Sequence, residues 1–181
     1  IWNIISHLPS LYANALYNLV TKEFYFLYKG DELDKPINID GVGHELMHGI
    51  YDMRVPGGAD QDISPCSETR VLREAISDII GLYAQNEYDQ NSPAFYNWTI
   101  SKGIISAGRN FENPNLLGQP DTYYGNYYLN ACPTDPYDYS VHQNSTVITH
   151  WFYLLSTGTV GTQTNDLGYS YNLNGIGVHK A

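Results

Sequence analysis

The chain has 181 residues, 43% of them hydrophobic, and 9 basic against 19 acidic residues leave a net charge of −10. That length and apolar content fit one folded domain, or two tightly joined lobes, and not a disordered chain. The acidity argues against nucleic acid, whose binders need Lys and Arg for the phosphates, and against an anionic membrane surface.

Solubility is one reading of the acidity; carboxylates gathered to hold hard cations such as calcium are the other. The opening "IWNIISHLPS" has no Met and no basic stretch, so no signal peptide is legible there. With "NGIGVHKA" at the far end, both termini read as cut from something longer. "LYANALYNLV" is ambiguous between helix and strand. "EFYFLY", residues 23–28, reads as a strand followed by the loop "KGDELDKP". From Ile39 the period changes. Val42, Leu46, Met47 and Ile50 form an apolar stripe at helical spacing, with Asp40 as the expected N-cap. "MRVPGGADQDISPCS" is a loop.

A second helix is expected over about 68–86, with Leu72, Ala75, Ile76, Ile79, Ile80 and Tyr83 as its buried side. "ISKGIISA" reads as a short helix. The Pro- and Gly-rich stretch from "GRNFENP" to "YDYS" reads as a long irregular segment, of the kind that is functional or metal-braced. A third helix is expected from near His142 to Gly158. Strands first and helices after give an α+β arrangement. No stretch approaches the roughly 18 apolar residues of a membrane span. Cys66 and Cys132 are either one disulfide or two buried thiols, and no Cys/His cluster makes them zinc ligands.

"GHELMH" carries the chemistry. His44 and His48 are four apart, about 40° around a helix, and face away from the apolar stripe toward one shared point. In this H-E-x-x-H pattern two neutral imidazoles bind zinc and Glu45 takes a proton from the metal's water. A third protein ligand is needed, and "REAISDIIG" offers Glu74 and Asp78, again four apart. One carboxylate can reach the metal; the other can accept the second ring N–H of a ligating histidine. The plain alternatives are two satisfied helix histidines and a solvated acidic face.

At this point the chain resembles the thermolysin-like neutral metalloproteases. "IDGVGHELMHGI" is similar to their zinc helix and "REAISDIIG" to their third-ligand helix. "AGRNFENP…GQPDTYYG" is similar to their substrate pocket, "VHQNSTVITHWFYLL" to their second catalytic histidine and its helix, and "YANALYN" to the strand along which substrates lie. These segments run in the family's order over about residues 10–160. The resemblance implies a zincin-type α+β core. Residues 1–38 would end a β-rich N-terminal lobe and include the edge strand along the cleft; 39–181 would hold the zinc helices and the start of a helical lobe. It implies His44, His48 and Glu74 as zinc ligands, Glu45 as general base and Asp78 as the partner of His44. It implies Arg109 on the substrate carbonyl and His142 as oxyanion stabiliser, for which either Asp138 substitutes as the orienting acid or the histidine is less well held. Asn14 and Ala15 would hydrogen-bond the substrate backbone.

The chain departs from the family in places. Glu74 follows His48 by 26 positions (74 − 48), a longer gap than the family usually shows. Pro65 stands where the family often has a tyrosine, and Tyr137 where it has the orienting aspartate, with Asp138 next door. Asp40 matches one calcium ligand, while Gln85 stands where an acid is usual; a Cys66–Cys132 bridge would brace the same region instead. The expectation is a secreted zinc endopeptidase, cutting on the amino side of bulky hydrophobic residues, with peptide or protein as substrate. Zn2+ is its expected cofactor, with Ca2+ at Asp40 as a second cation. Segments of the same precursor, including a propeptide, are its expected partners, and they would cover otherwise exposed apolar helix faces. The rival readings are a weakened or inactive zinc-binding module and a related zinc peptidase with longer ligand spacing, such as the fungal secreted type.

Overall fold

The computed structural model describes residues 3–10, 14–18, 20–29, 38–55, 67–89, 96–100, 108–130 and 139–181. Pro65, Cys66, Cys132, Tyr137, Asp138 and most of "ISKGIISA" lie outside these, as does the side chain of Asn14.

The order of elements is strands first, then helices, in an α+β fold. Strands β1 (Asn3–Ser10), β2 (Asn14–Asn18) and β3 (Glu23–Lys29) form a sheet of order β1-β3-β2. β1 runs parallel to β3, and β2 runs antiparallel to it with Tyr17 opposite Phe24. The ambiguous segment is therefore a strand, and it lies at a sheet edge.

Helix α1 (Ile39–Arg54) starts at Asn38 and not at Asp40, which sits inside the first turn where its charge suits the helix dipole. It stops at Val55, before Pro56. Helix α2 (Glu68–Tyr88) is capped by Ser67, whose side chain accepts from Arg70 N at 3.2 Å. The two helices cross at glycines. A Cβ on Gly81 would stand 2.2 Å from Asp40 O, and one on Gly43 would stand 3.0 Å from Gly81 Cα. At these two positions no side chain separates the backbones, which is how the helices approach closely. The sheet docks on α1 the same way: Phe24 fills the space over Gly49, with Tyr17 beside it at 4.7 Å between ring centroids.

The apolar stripes are buried only in part as expected: Ala75 is fully buried, Ile79 and Tyr83 pack against the core, and Val42, Leu46 and Met47 are half-buried. On α1 the buried residues are Asp40, His44 and Gly49, while Ile50 is exposed. On α2 Leu72 and Ile80 are exposed, and Val71, Ala75, Ser77, Asp78 and Leu82 are buried. The helices meet across a seam of glycine and mutually paired polar groups. Periodicity reads only hydrophobicity, so it assigns that seam to the outside.

The apolar core lies elsewhere, between α2, α4 and the short ladder of β4 (Thr99–Ile100) with β5 (Arg109–Asn110). It is built from Leu82, Tyr96, Ile100, Phe111, Phe152 and Val178. The expected third helix is two: α3 (Tyr139–Asn144) and α4 (Thr146–Thr157). Hydroxyls make the break. Ser145 Oγ donates to His142 O at 2.7 Å, and Thr146 Oγ1 donates to Gln143 O at 2.8 Å. Buried polar clamps then fix the α3 end: Gln143 Nε2 donates to Gly118 O, Thr146 Oγ1 to Pro120 O, and Asn144 exchanges two bonds with Leu129. A small hairpin of β6 (Gln163–Thr164) and β7 (Ser170–Tyr171) follows α4. Among the described residues no helix is long and apolar enough to cross a membrane.

Candidate metal centre and active site

The glycine crossing brings the α1 histidines against the α2 carboxylates. His44 Nε2 lies 2.9 Å from His48 Nε2 and 3.3 Å from Glu74 Oε2, and His48 Nε2 lies 3.3 Å from Glu74 Oε1. Donors at tetrahedral corners about 2.0–2.1 Å from a zinc ion are themselves about 3.3 Å apart. Buried Glu74 Oε2 is approached only by histidine nitrogens among the described residues, His44 Nε2 at 3.3 Å and His142 Nε2 at 3.2 Å. One donor atom from each of the three residues lies within 4.8 Å of the other two, so the three residues could hold a metal ion.

The surrounding charges fit a cation. Burial alone would pull His44 down, but Asp78 and then Glu74 push it up to about 10. Burial would raise Glu74, yet His142 and then His48 hold it well below the usual carboxylate range. The pocket thus favours positive charge where the imidazole nitrogens meet. Two nitrogens and a carboxylate, with a position left for water, suit zinc.

Further groups hold each imidazole. His44 Nδ1 lies 2.7 Å from Asp78 Oδ1. Ser77 Oγ lies 3.3 Å from His48 Nδ1. Asp78 is fully buried and takes both Nε and Nη2 of Arg109, a bidentate pair. Burial would raise Asp78, but Arg109 and then His44 lower it; burial would lower Arg109, but Asp78 raises it. Arg109 comes from β5, whose partner β4 belongs to the core ladder.

Glu45 points to the strand side. Its Oε2 accepts Tyr17 N at 2.7 Å, and burial raises its carboxyl against the pull of His44 and His48. His142, on α3, places Nε2 3.2 Å from Glu74 Oε2 with its side chain 39% exposed. The structure therefore gathers His44, Glu45, His48, Glu74, Asp78, Arg109 and His142. Ala15 stands two residues from Tyr17 on the same edge strand. Asp40 is buried at the start of α1, and its N–H donates to Gln85 Oε1 at 3.3 Å.

Sequence reasoning missed Ser77 and the Tyr17 amide. Ser77 had a signal, since it lies three residues after Glu74 and so on nearly the same face. A backbone amide leaves none. No curated protein matches the chain. The family profile described as "Thermolysin metallopeptidase, alpha-helical domain" matches residues 67–181. That segment carries Glu74, Asp78, Arg109 and His142, and the H-E-x-x-H helix precedes it. The chain belongs to the thermolysin metallopeptidase family.

Proposed function

We propose that this chain is the catalytic part of a secreted zinc endopeptidase cutting on the amino side of bulky hydrophobic residues. The supporting observation is the meeting of His44, His48 and Glu74 donors within hydrogen-bond range of one another, with Glu45 on the same helix. Those three residues are the zinc ligands. Residues 1–38 end a β-rich lobe whose edge strand β2 lines the cleft, and 39–181 hold the metal helices and begin a helical lobe.

Zinc bound there supplies Lewis acidity toward the peptide carbonyl and a water whose pKa falls toward about 7. Glu45 accepts the proton of the attacking water and passes it to the leaving nitrogen. Its raised carboxyl suits a group that must both take and give a proton. His142 donates to the oxygen that gains negative charge. Arg109, steadied by Asp78, binds the substrate carbonyl, and Asn14 with Ala15 pairs the substrate backbone as an added strand. Asp78 and Ser77 fix the tautomers of His44 and His48. Asp138 supports His142, and a Cys66–Cys132 bridge braces the region in place of a full calcium site, to which Asp40 is the matching Ca2+ ligand.

A quenched peptide with an apolar residue after the cut site tests this. Cleavage should vanish with chelator and fall by about 10³-fold or more in Glu45→Gln while zinc stays bound. Stoichiometric zinc with no cleavage by the wild type would establish the inactive module instead.

A further inference from the structure

Glu45, Gly49 and Asp52 are spaced four and three apart, so they share the face of α1 that meets the sheet. One residue of β2 touches all three. Tyr17 N donates to Glu45 Oε2 at 2.7 Å, its ring lies over Gly49 beside Phe24, and its hydroxyl donates to Asp52 Oδ2 at 3.0 Å. Lys22, in the β2–β3 turn, reaches the same Asp52 oxygen at 2.8 Å from a backbone φ of +58°, a region that favours glycine. The Asp52 side chain is only 7% exposed, so it offers a fixed anchor. Tyr17 thereby spans about two turns of α1, roughly 10 Å. Its side chain fixes where its own amide stands.

We infer that Tyr17, anchored by Asp52 and Lys22, is a positioning residue that holds the Glu45 carboxylate through its backbone N–H. The bond engages Oε2 and leaves Oε1 to meet the water proton. It also ties the base to the strand carrying Ala15, since residues two apart on an edge strand present their backbone groups on the same side. Substrate laid along β2 is then registered against the base by one rigid element. This rests on Glu45 being the general base.

The test uses the purified chain, with zinc for turnover and without it for hydrogen exchange. Tyr17→Phe and Asp52→Ala should lower kcat about 10-fold, with KM within about twofold, because the base is displaced and binding is not. Asp52→Asn, which keeps an acceptor for the hydroxyl, should restore most of kcat. The Tyr17→Phe/Asp52→Ala double variant should be no worse than the worse single. In the metal-free chain the residue-17 amide should exchange about 10-fold faster in Tyr17→Phe, Asp52→Ala and Glu45→Ala. A kcat within twofold of wild type in Tyr17→Phe overturns the inference, as does lost kcat with that amide still protected. A wild type that binds zinc, protects the residue-17 amide and cleaves nothing removes the protease reading, and this role falls with it.

Discussion

Gly81→Ala tests whether the metal centre depends on how closely two helices approach. Alanine in place of glycine inside a helix gains about 1 kcal/mol of intrinsic propensity. Here the new methyl would stand 2.2 Å from Asp40 O and 3.1 Å from His44 N, both backbone atoms of α1. The first contact is more than about 1 Å too short, and no flexible side chain can move aside. Overpacking of this kind costs about 1–3 kcal/mol. The net loss should be about 1 kcal/mol, or a fall of about 2–4 °C in Tm for a chain of this size. The larger effect is on the metal. Moving α2 off α1 by about 1 Å opens the 3.3 Å gaps between Glu74 and both imidazoles, against a tolerance of about 0.5 Å. Zinc affinity should drop about 10- to 100-fold. Thermal unfolding in chelator reads the first effect, and titration against a competing chelator reads the second. Gly43→Ala, whose closest contact is 3.0 Å, should fall between Gly81→Ala and wild type. A raised Tm with unchanged zinc affinity in Gly81→Ala would refute the reasoning.

Asp78→Asn should destabilise the chain by about 3–5 kcal/mol, because it leaves Arg109 buried without a counter-charge, and should weaken zinc about 10- to 100-fold; denaturant melts and metal titration read both. Zinc at a thousandfold over its dissociation constant should add about 4 kcal/mol to unfolding, and His48→Ala should abolish that gain in a thermal-shift series. Tyr17 is pushed up to about 12, by burial and then by Asp52, from an ordinary 10.0. A raised folded value means that its contribution is whole below pH 10 and lost as pH rises through about 12. The stability gap between wild type and Tyr17→Phe should therefore shrink across that window; a constant gap would count against the Asp52 contact.

The zinc motif was legible because its residues are neighbours on one helix: a spacing of four in the sequence is a shared face in space. Glu74 and Asp78 were legible for the same reason, as two carboxylates among apolar residues. The packing of both helices was legible only in part, with Ala75, Ile79 and Tyr83 turned inward as read and Ile50, Leu72 and Ile80 turned outward against the reading. Amphipathic periodicity assumes that the buried side is the oily side, and here the buried seam holds His44, Asp78 and two glycines that permit contact. The break at Ser145 was hidden because it depends on hydroxyls capping carbonyls three residues back, a local competition that a helical apolar pattern masks. Tyr17 was invisible as a partner of Glu45 since any residue would supply the same N–H; only its hydroxyl and the distant Asp52 make the position particular.

Asp78 Oδ1 serves two clients at once, His44 Nδ1 at 2.7 Å and Arg109 Nη2 at 2.5 Å. An oxygen divided between a buried imidazole and a buried guanidinium cannot answer to one alone. With His44 holding an ion and Arg109 a peptide, as proposed, any drift of the imidazole alters the anchor of the arginine. Reciprocity then makes the traffic two-way: whatever factor the ion lends to the grip on a peptide, the peptide returns to the grip on the ion. A bound inhibitor should thus lower the dissociation constant of zinc by the same factor by which zinc lowers that of the inhibitor.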